Sequence, residues 1–153
     1  MNKQQLLERL DRAWEDLKES YAGLSEHELT ETGVMGDWSI KDIIAHVTWW
    51  EEETLKYLPI LLKGGKPPRY STLYGGIDAF NALMTEQKKS LSLAEVLQQR
   101  DGTHRRLIRF VQGVPEDQCK GGSGFRRRLR LDTYAHYSLH AEAIRKWRHY
   151  RSF

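Results

Sequence analysis

The sequence predicts an all-α fold, a four-helix bundle with long connections and one extra short helix between the second and third main helices. Apolar residues recur every three or four positions in four separate segments, which is the period of an amphipathic helix. No segment shows the sustained period-two alternation of a half-buried strand. The length of 153 residues is typical of one domain, so we expect a single domain over residues 1–153.

Start and stop signals give the predicted bounds of the helices. Ser39, with Asp42 three residues later, predicts the start of the second main helix, and Ser92 with Glu95 forms a capping box before the third. Pro59 lies in the last turns of the second helix, where a proline kinks or ends the helix. The predicted helices are 2–21, 40–61, the short helix 77–90, 92–113 and 132–150.

Composition excludes several classes of protein. A hydrophobic fraction of 39% and a charged fraction of 29% are typical of a globular chain. No window approaches the roughly 18 apolar residues of a membrane span, and the first residues lack the apolar core of a signal peptide. We therefore expect a cytoplasmic protein with no membrane partner. The single cysteine, Cys119, excludes an internal disulfide and a cysteine-based zinc site, and no catalytic signature surrounds it.

Positive charge is concentrated in the last third of the chain. Residues 100–153 contain 13 Lys or Arg and 5 Asp or Glu, a local balance of +8 within a net charge of +3. The densest part is the segment Arg126–Arg130. Such a segment attracts an anionic ligand or nucleic acid, but we favour a solvated positive segment that precedes a helix.

Two histidines four residues apart, His136 and His140, are the first indication of a site. On a helix this spacing places both rings on one face with Cβ atoms about 6 Å apart, so one metal ion can meet both. Many helices carry such a pair without binding a metal. His46 is the best third ligand because it borders the apolar face of its helix. His104 is a poorer candidate because the two arginines that follow it disfavour a cation, and His149 lies near a helix end. Three neutral imidazoles and a water give the open coordination of a catalytic Zn²⁺ site, and Ni²⁺ or Fe²⁺ also suits them.

Carboxylates and tyrosines near these histidines complete the candidate site. Glu53 follows His46 by seven residues on nearly the same helix face, and we predict it as a general base or as a hydrogen-bond partner of a ligand. Asp132 precedes His136 by one turn and is a candidate acceptor for its second ring nitrogen. We predict Tyr137 as a second catalytic residue. The alternatives are surface or capping carboxylates and a tyrosine of the core.

A regular apolar pattern accompanies the histidine pair. Ala135, Leu139, Ala143 and Trp147 recur every four residues in the last helix. A stripe with this spacing lies along one face of a helix. We expect it to pack in the core of the bundle and to direct both histidines inward.

The two histidine-bearing stretches carry a family resemblance. Trp38–His46, with its aromatic residue, serine cap, polar pair, apolar residues and histidine, resembles the second-helix signature of the DinB-like superfamily. The pattern His136-x-x-x-His140 is similar to the second half of that signature. Gly75–Asn81 and Ser92–Val96 resemble the ClbS/DfsB-like branch. The resemblance implies that the three histidines are metal ligands, that water or substrate completes the coordination, and that the protein forms a homodimer.

The resemblance also implies a reaction class. We expect a metal-dependent hydrolase or a low-molecular-weight-thiol S-transferase, with Zn, Ni or Fe and a thiol as cofactors, that acts on a small electrophilic molecule in detoxification. A metal-free ClbS-like protein that binds or hydrolyses a small molecule is one alternative. A non-catalytic protein that uses Arg126–Arg130 to bind an acidic partner is another. We do not expect nucleic acid as a partner, because no aromatic residues alternate with these arginines.

Overall fold

The fold is an all-α bundle, as the sequence predicts. The computed structural model describes residues 1–151, which contain no strand apart from an isolated bridge between Met35 and Trp38. The helices are α1 Lys3–Ser20, α2 Glu26–Thr30, α3 Ile40–Leu62, α4 Tyr70–Leu73, α5 Ile77–Lys88, α6 Leu93–Gln112, α7 Gly124–Asp132 and α8 Tyr134–Arg151, with a 3₁₀ turn at Glu116–Cys119.

Four long helices form the bundle. Helix α1 packs against α8, and α3 packs against α6 and α7. The core contains the apolar face of α1, with Leu6 and Leu10 fully buried, and that of α3, with Ile40 and Ile43 fully buried. Burying such side chains supplies the main favourable free energy of folding. Helix α3 therefore lies at the centre of the contacts and carries the first predicted ligand.

Local signals placed the start of α3 correctly. The Ser39 hydroxyl accepts a hydrogen bond from the Asp42 main-chain nitrogen, and the Asp42 carboxylate accepts from the Ser39 main-chain nitrogen. This capping box satisfies two donors that a helix start leaves unpaired. Pro59 neither breaks nor ends the helix at its own position, since α3 continues to Leu62.

The extra short helix is confirmed as α5, which lies against α3. The side-chain oxygen of Asn81 in α5 accepts hydrogen bonds from the indole nitrogens of Trp50 (2.9 Å) and Trp49 (3.3 Å) in α3. The connection before it also contains the single-turn helix α4, which the sequence pattern did not predict. These contacts hold the long connection against the bundle.

The last helix begins within two residues of its predicted start, but the sequence pattern did not predict the separate helix before it. The chain is already helical from Gly124, so the basic segment is part of α7 rather than a connection. The break comes at Thr133, which has φ −123° and ψ −100° and is fully buried. Its hydroxyl donates to the Leu129 carbonyl, a local bond that competes with regular helix geometry. Helix α8 then begins at Tyr134.

The predicted packing stripe of the last helix is wrong. Leu139 is 56% exposed, and Ala135 is exposed as well. The buried face of α8 instead contains Tyr137, Ala141 and Ile144, each at most 1% exposed. Both patterns fit a helix, and only the packing of α8 against α1 and α3 selects one face.

Two further expectations concern membrane-spanning helices and the single cysteine. Among residues 1–151, no helix combines the length and apolarity that crossing a bilayer requires. Cys119 is buried, and burial raises the pKa of its thiol. A high thiol pKa disfavours the nucleophilic thiolate, which agrees with its interpretation as a non-catalytic residue.

Candidate metal centre

The structure brings together the three histidines that the sequence singled out. His46 comes from α3, and His136 and His140 come from successive turns of α8. Nε2 of His136 lies 2.9 Å from Nε2 of His46 and 2.9 Å from Nε2 of His140. One ligand atom from each histidine lies within 4.8 Å of the others. A single ion can therefore contact all three rings.

Aromatic residues surround this histidine group. The ring centroid of Trp38 lies 4.7 Å from that of His46, and the Trp49 centroid lies 5.0 Å from it, nearly perpendicular. His46 is 6% exposed and His140 is 2% exposed. Such an apolar wall excludes water and fixes the orientation of the rings.

Burial keeps the three imidazoles neutral. It lowers the pKa of His46 to about 2, with further lowering by repulsion from the other two rings. It likewise lowers the pKa of His136 to about 3, with repulsion from His140, and that of His140 to about 4. At neutral pH each ring therefore offers a lone pair, which is the form that binds a metal.

Hydrogen bonds among the three rings cannot pair all of their nitrogen atoms. Nε2 of His136 carries either one proton or one lone pair, so His46 and His140 compete for it at equal distances of 2.9 Å. In addition, Nδ1 of all three histidines is buried without a hydrogen-bond partner. A cation that accepts the three Nε2 lone pairs, with the protons on Nδ1, removes the competition. The donor set therefore fits a divalent transition metal.

The prediction that the Asp132 carboxylate accepts a hydrogen bond from His136 is wrong. That carboxylate accepts hydrogen bonds from Arg128 Nε (2.5 Å) and Thr54 Oγ1 (2.8 Å). Asp132 is the last residue of α7, and the break at Thr133 separates it from the helix of His136. Its main-chain carbonyl lies close enough to favour a protonated His136, although no hydrogen bond to Nδ1 forms. Asp132 thus holds α7 against α3.

Glu53 lies at the edge of a cleft near the histidine group. Its carboxylate accepts a hydrogen bond of 3.1 Å from the Tyr70 hydroxyl, which in turn accepts one of 2.8 Å from Arg128. Glu53 and Trp49 both line a cleft of about 620 Å³ between α3, α5 and α6. Trp49 also contacts His46, so this indole touches both the cleft and one of the predicted ligands.

Tyr137 takes part in a buried network that sequence reasoning missed. Its hydroxyl donates to Glu51 Oε2 at 2.6 Å, and the same oxygen lies 2.7 Å from His104 Nδ1. The His104 ring stacks on Trp14 with centroids 3.8 Å apart. Glu51 is fully buried, and its Oε1 has no partner. The carboxylate thus joins α3 to α6 and α8.

The sequence did contain a signal for Glu51. It follows Val47 by four residues and Ile44 by seven, which places it on the buried face of α3. A charged residue at such a position is rarely buried without a partner. Burial raises the pKa of Glu51, while the hydrogen bonds from His104 and Tyr137 lower it. The sequence thus indicated that Glu51 needs a partner, and the structure identifies His104 and Tyr137.

The four arginines of the basic segment do not form one exposed surface. Arg126 donates to the Cys119 carbonyl at 2.8 Å. Arg128 bonds Asp132 and lies over the rings of Tyr57 (5.3 Å) and Tyr70 (5.7 Å). Two of the four arginines are therefore used inside the fold, which weakens the interpretation of the segment as an interaction site.

Comparison with known proteins establishes the family. The model of the DinB superfamily matches residues 9–142, a span that includes all three histidines. The chain belongs to the DinB superfamily. This confirms the resemblance seen in the two histidine-bearing stretches. No curated protein matches the sequence.

Solved structures with low sequence identity share the DinB fold. The sibling lethal factor precursor DfsB has a TM-score of 0.78 at 17% identity, covering 99% of this chain and 97% of that one. An uncharacterised protein from Escherichia coli UTI89 has a TM-score of 0.83 at 15% identity, covering 99% and 95%. The colibactin self-resistance protein ClbS, solved in complex with double-stranded DNA, has a TM-score of 0.78 at 12% identity, covering 95% and 94%.

We expect Glu51 to stabilise the fold far more than its neighbour Glu52. Glu51→Ala leaves the Tyr137 hydroxyl and the His104 ring buried without their acceptor, which should lower the free energy of unfolding by about 3 kcal/mol. Glu52 pairs with Arg106 at the surface, so Glu52→Ala should cost less than about 1 kcal/mol. Denaturant unfolding of both variants measures this, and equal losses would contradict the network.

We expect acid to destabilise the metal-free protein through the histidine group. The folded-state pKa values lie below the ordinary value of 6.5, so the unfolded chain binds more protons. Stability is therefore complete above pH 6.5 and is lost as the pH falls toward 4, by about 1.4 kcal/mol per pH unit for each histidine.

Chelator-treated protein unfolded at several pH values tests this expectation. His140→Gln should reduce the slope of unfolding free energy against pH by about 1.4 kcal/mol per unit. The exposed His27 in α2 supplies the control, since His27→Gln should keep the wild-type slope. The same slope in wild type and His140→Gln would show that this ring titrates normally in the fold.

Proposed function

We propose that the protein is a metal-dependent enzyme that acts on a small electrophilic molecule. The observation that carries the proposal is the convergence of three neutral imidazoles, two buried and one half-buried, whose Nε2 atoms lie 2.9 Å apart in two pairs. Three histidines and an open position are typical of catalytic rather than structural zinc sites. The reaction is hydrolysis, with water as nucleophile, or transfer of a low-molecular-weight thiol.

The bound metal and the protein have separate tasks in this proposal. A divalent ion held by His46, His136 and His140 would lower the pKa of a bound water or thiol toward neutrality. Glu53 accepts the proton that the nucleophile loses. Tyr70 donates to Glu53, which orients the carboxylate. For Tyr137 we propose a supporting role, because its hydroxyl is fully buried on Glu51.

The cleft beside Trp49 supports a small polar substrate. Its volume of about 620 Å³ is in the range of small-molecule sites. Thr48, Gln98 and Lys88 bring hydroxyl, amide and ammonium groups to its lining. Movement of the Trp49 indole would connect the cleft with the histidines. This size favours a detoxification substrate over a macromolecule.

A metal-free activity is the second candidate. The fold similarity to DfsB and ClbS favours it as much as it favours the first. ClbS was solved with double-stranded DNA, but here Arg126 and Arg128 are used within the fold, so we do not propose a DNA substrate at this centre. Formation of a homodimer and a cytoplasmic location remain predictions.

We expect the purified, untagged protein to contain about one equivalent of a transition metal. His46→Gln and His140→Gln remove ligands from α3 and α8 and should each lower metal content and the affinity for added Zn²⁺ at least tenfold. Elemental analysis and metal titration measure both quantities. His27→Gln is the matched control and should bind as wild type does.

Two outcomes separate the candidates. Less than about 0.1 equivalent of metal, with no uptake on titration, would exclude the metal-dependent enzyme. An activity that persists unchanged in chelator and in His140→Gln would favour the metal-free alternative. A melting temperature that rises with Zn²⁺ in wild type alone supports the metal centre.

We expect Glu53→Gln to keep the metal and lose turnover. Removing a general base should lower the rate about 100-fold or more. Hydrolysis of p-nitrophenyl acetate and conjugation of 1-chloro-2,4-dinitrobenzene with cysteine provide the two readouts. Tyr70→Phe is the control, since it removes the hydroxyl that donates to Glu53 and accepts from Arg128 but keeps the Glu53 carboxylate. Equal losses in the two variants would assign Glu53 to structure instead.

A further inference from the structure

A second cleft lies on the outer side of the bundle, between α1 and the α7–α8 junction. Its volume is about 630 Å³, and Arg9, Arg12 and Arg130 line it together with Tyr134 and Ser138. We call this site the arginine cleft. A smaller cleft of about 180 Å³ shares Arg130 and Tyr134 with it and adds Arg126 and Arg127. Basic side chains from α1 and α7 thus meet on one continuous surface.

The positive charge of the arginine cleft is not neutralised by nearby acids. Within residues 1–151, the ion pairs include none of Arg9, Arg12 and Arg130. One carboxylate, Asp16, lines the cleft, and both its oxygens accept hydrogen bonds from Arg145, at 3.0 and 2.7 Å. Three guanidinium groups therefore line the cleft, and its one carboxylate is already paired with Arg145.

Glu8, the other acid near Arg12, also has a different hydrogen-bond partner. Glu8 lies one turn before Arg12 on α1, and its carboxylate accepts a hydrogen bond from Gln4. On the opposite side, Arg9 is held over the ring of Tyr134 at 5.1 Å. Tyr134 is only 6% exposed, so it is a fixed platform. This cation–π contact orients one guanidinium toward the cleft before any ligand binds.

The structure assigns a ligand class to this arrangement. We propose that the arginine cleft binds a ligand that carries at least two phosphate groups. Guanidinium groups bind phosphate oxygens through paired hydrogen bonds, and a cleft of about 630 Å³ with three of them on two helices has the charge and the room for more than one phosphate. The volume accommodates a small molecule, and the smaller cleft that shares Arg130 and Tyr134 adds Arg127.

The arginine cleft is separate from the histidine group. Ser138 lines the cleft and lies two residues from both His136 and His140. Because successive helical residues are 100° apart, Ser138 points about 160° away from either histidine around α8. Ligand binding here is therefore independent of the proposed metal centre, and loss of the metal ligands should leave it intact.

Calorimetric titration with tripolyphosphate at about 50 mM salt tests the proposal. Wild type should bind, and Arg12→Gln and Arg130→Gln should each weaken binding about tenfold. Arg105→Gln is the matched control, because Arg105 is exposed on α6 and its loss changes the net charge equally. His140→Gln should bind as wild type does, which separates this test from that of the metal centre.

A duplex of about 12 base pairs distinguishes the source of the phosphate groups. Binding of tripolyphosphate alone identifies a small phosphorylated ligand. Binding of the duplex as well, displaced by tripolyphosphate and weakened by Arg12→Gln, identifies a nucleic-acid backbone. No binding of either probe, or equal weakening by Arg105→Gln and Arg12→Gln, would overturn the proposal.

Discussion

The buried hydrogen bond from Tyr137 to Glu51 connects the two helices on which the candidate centre depends. Glu51 follows His46 by five residues on α3, and Tyr137 is next to His136 on α8. The same carboxylate oxygen contacts His104 of α6, so one buried oxygen atom links three helices of the bundle. A fully buried carboxylate is stable only with such partners. The register of α3 against α8, and hence the distance between the histidines, follows from this contact.

The same packing determines the chemistry of the histidines. Trp38 and Trp49 pack against the His46 ring, and burial lowers the pKa of all three rings, so that they remain neutral. Without a cation, the crowded nitrogens and unpartnered Nδ1 atoms reduce stability. The fold thus brings together three imidazoles whose buried Nδ1 atoms find no hydrogen-bond partner among the described residues, an arrangement typical of functional sites.

The packing of α1 and α7 decides which arginines lie together on the outer surface. The sequence shows one basic run, but α7 turns Arg128 inward to Asp132 and leaves Arg130 beside Arg9 of α1. Residues more than a hundred positions apart therefore form the arginine cleft. A charge run indicates how many positive groups are present, and helix phase and packing decide which of them share a surface.

The sequence by itself determined the four long helices, the capped starts of α3 and α6 and the choice of the three histidines, because caps and helical spacing depend on residues within one or two turns of each other. It did not determine which face of α8 is buried, since the stripe through Leu139 and the face through Ile144 both fit a helix. Nor did it place the carboxylate of Asp132, the break at Thr133 or the partners of Glu51. Those depend on contacts between distant helices, and only the tertiary structure decided them.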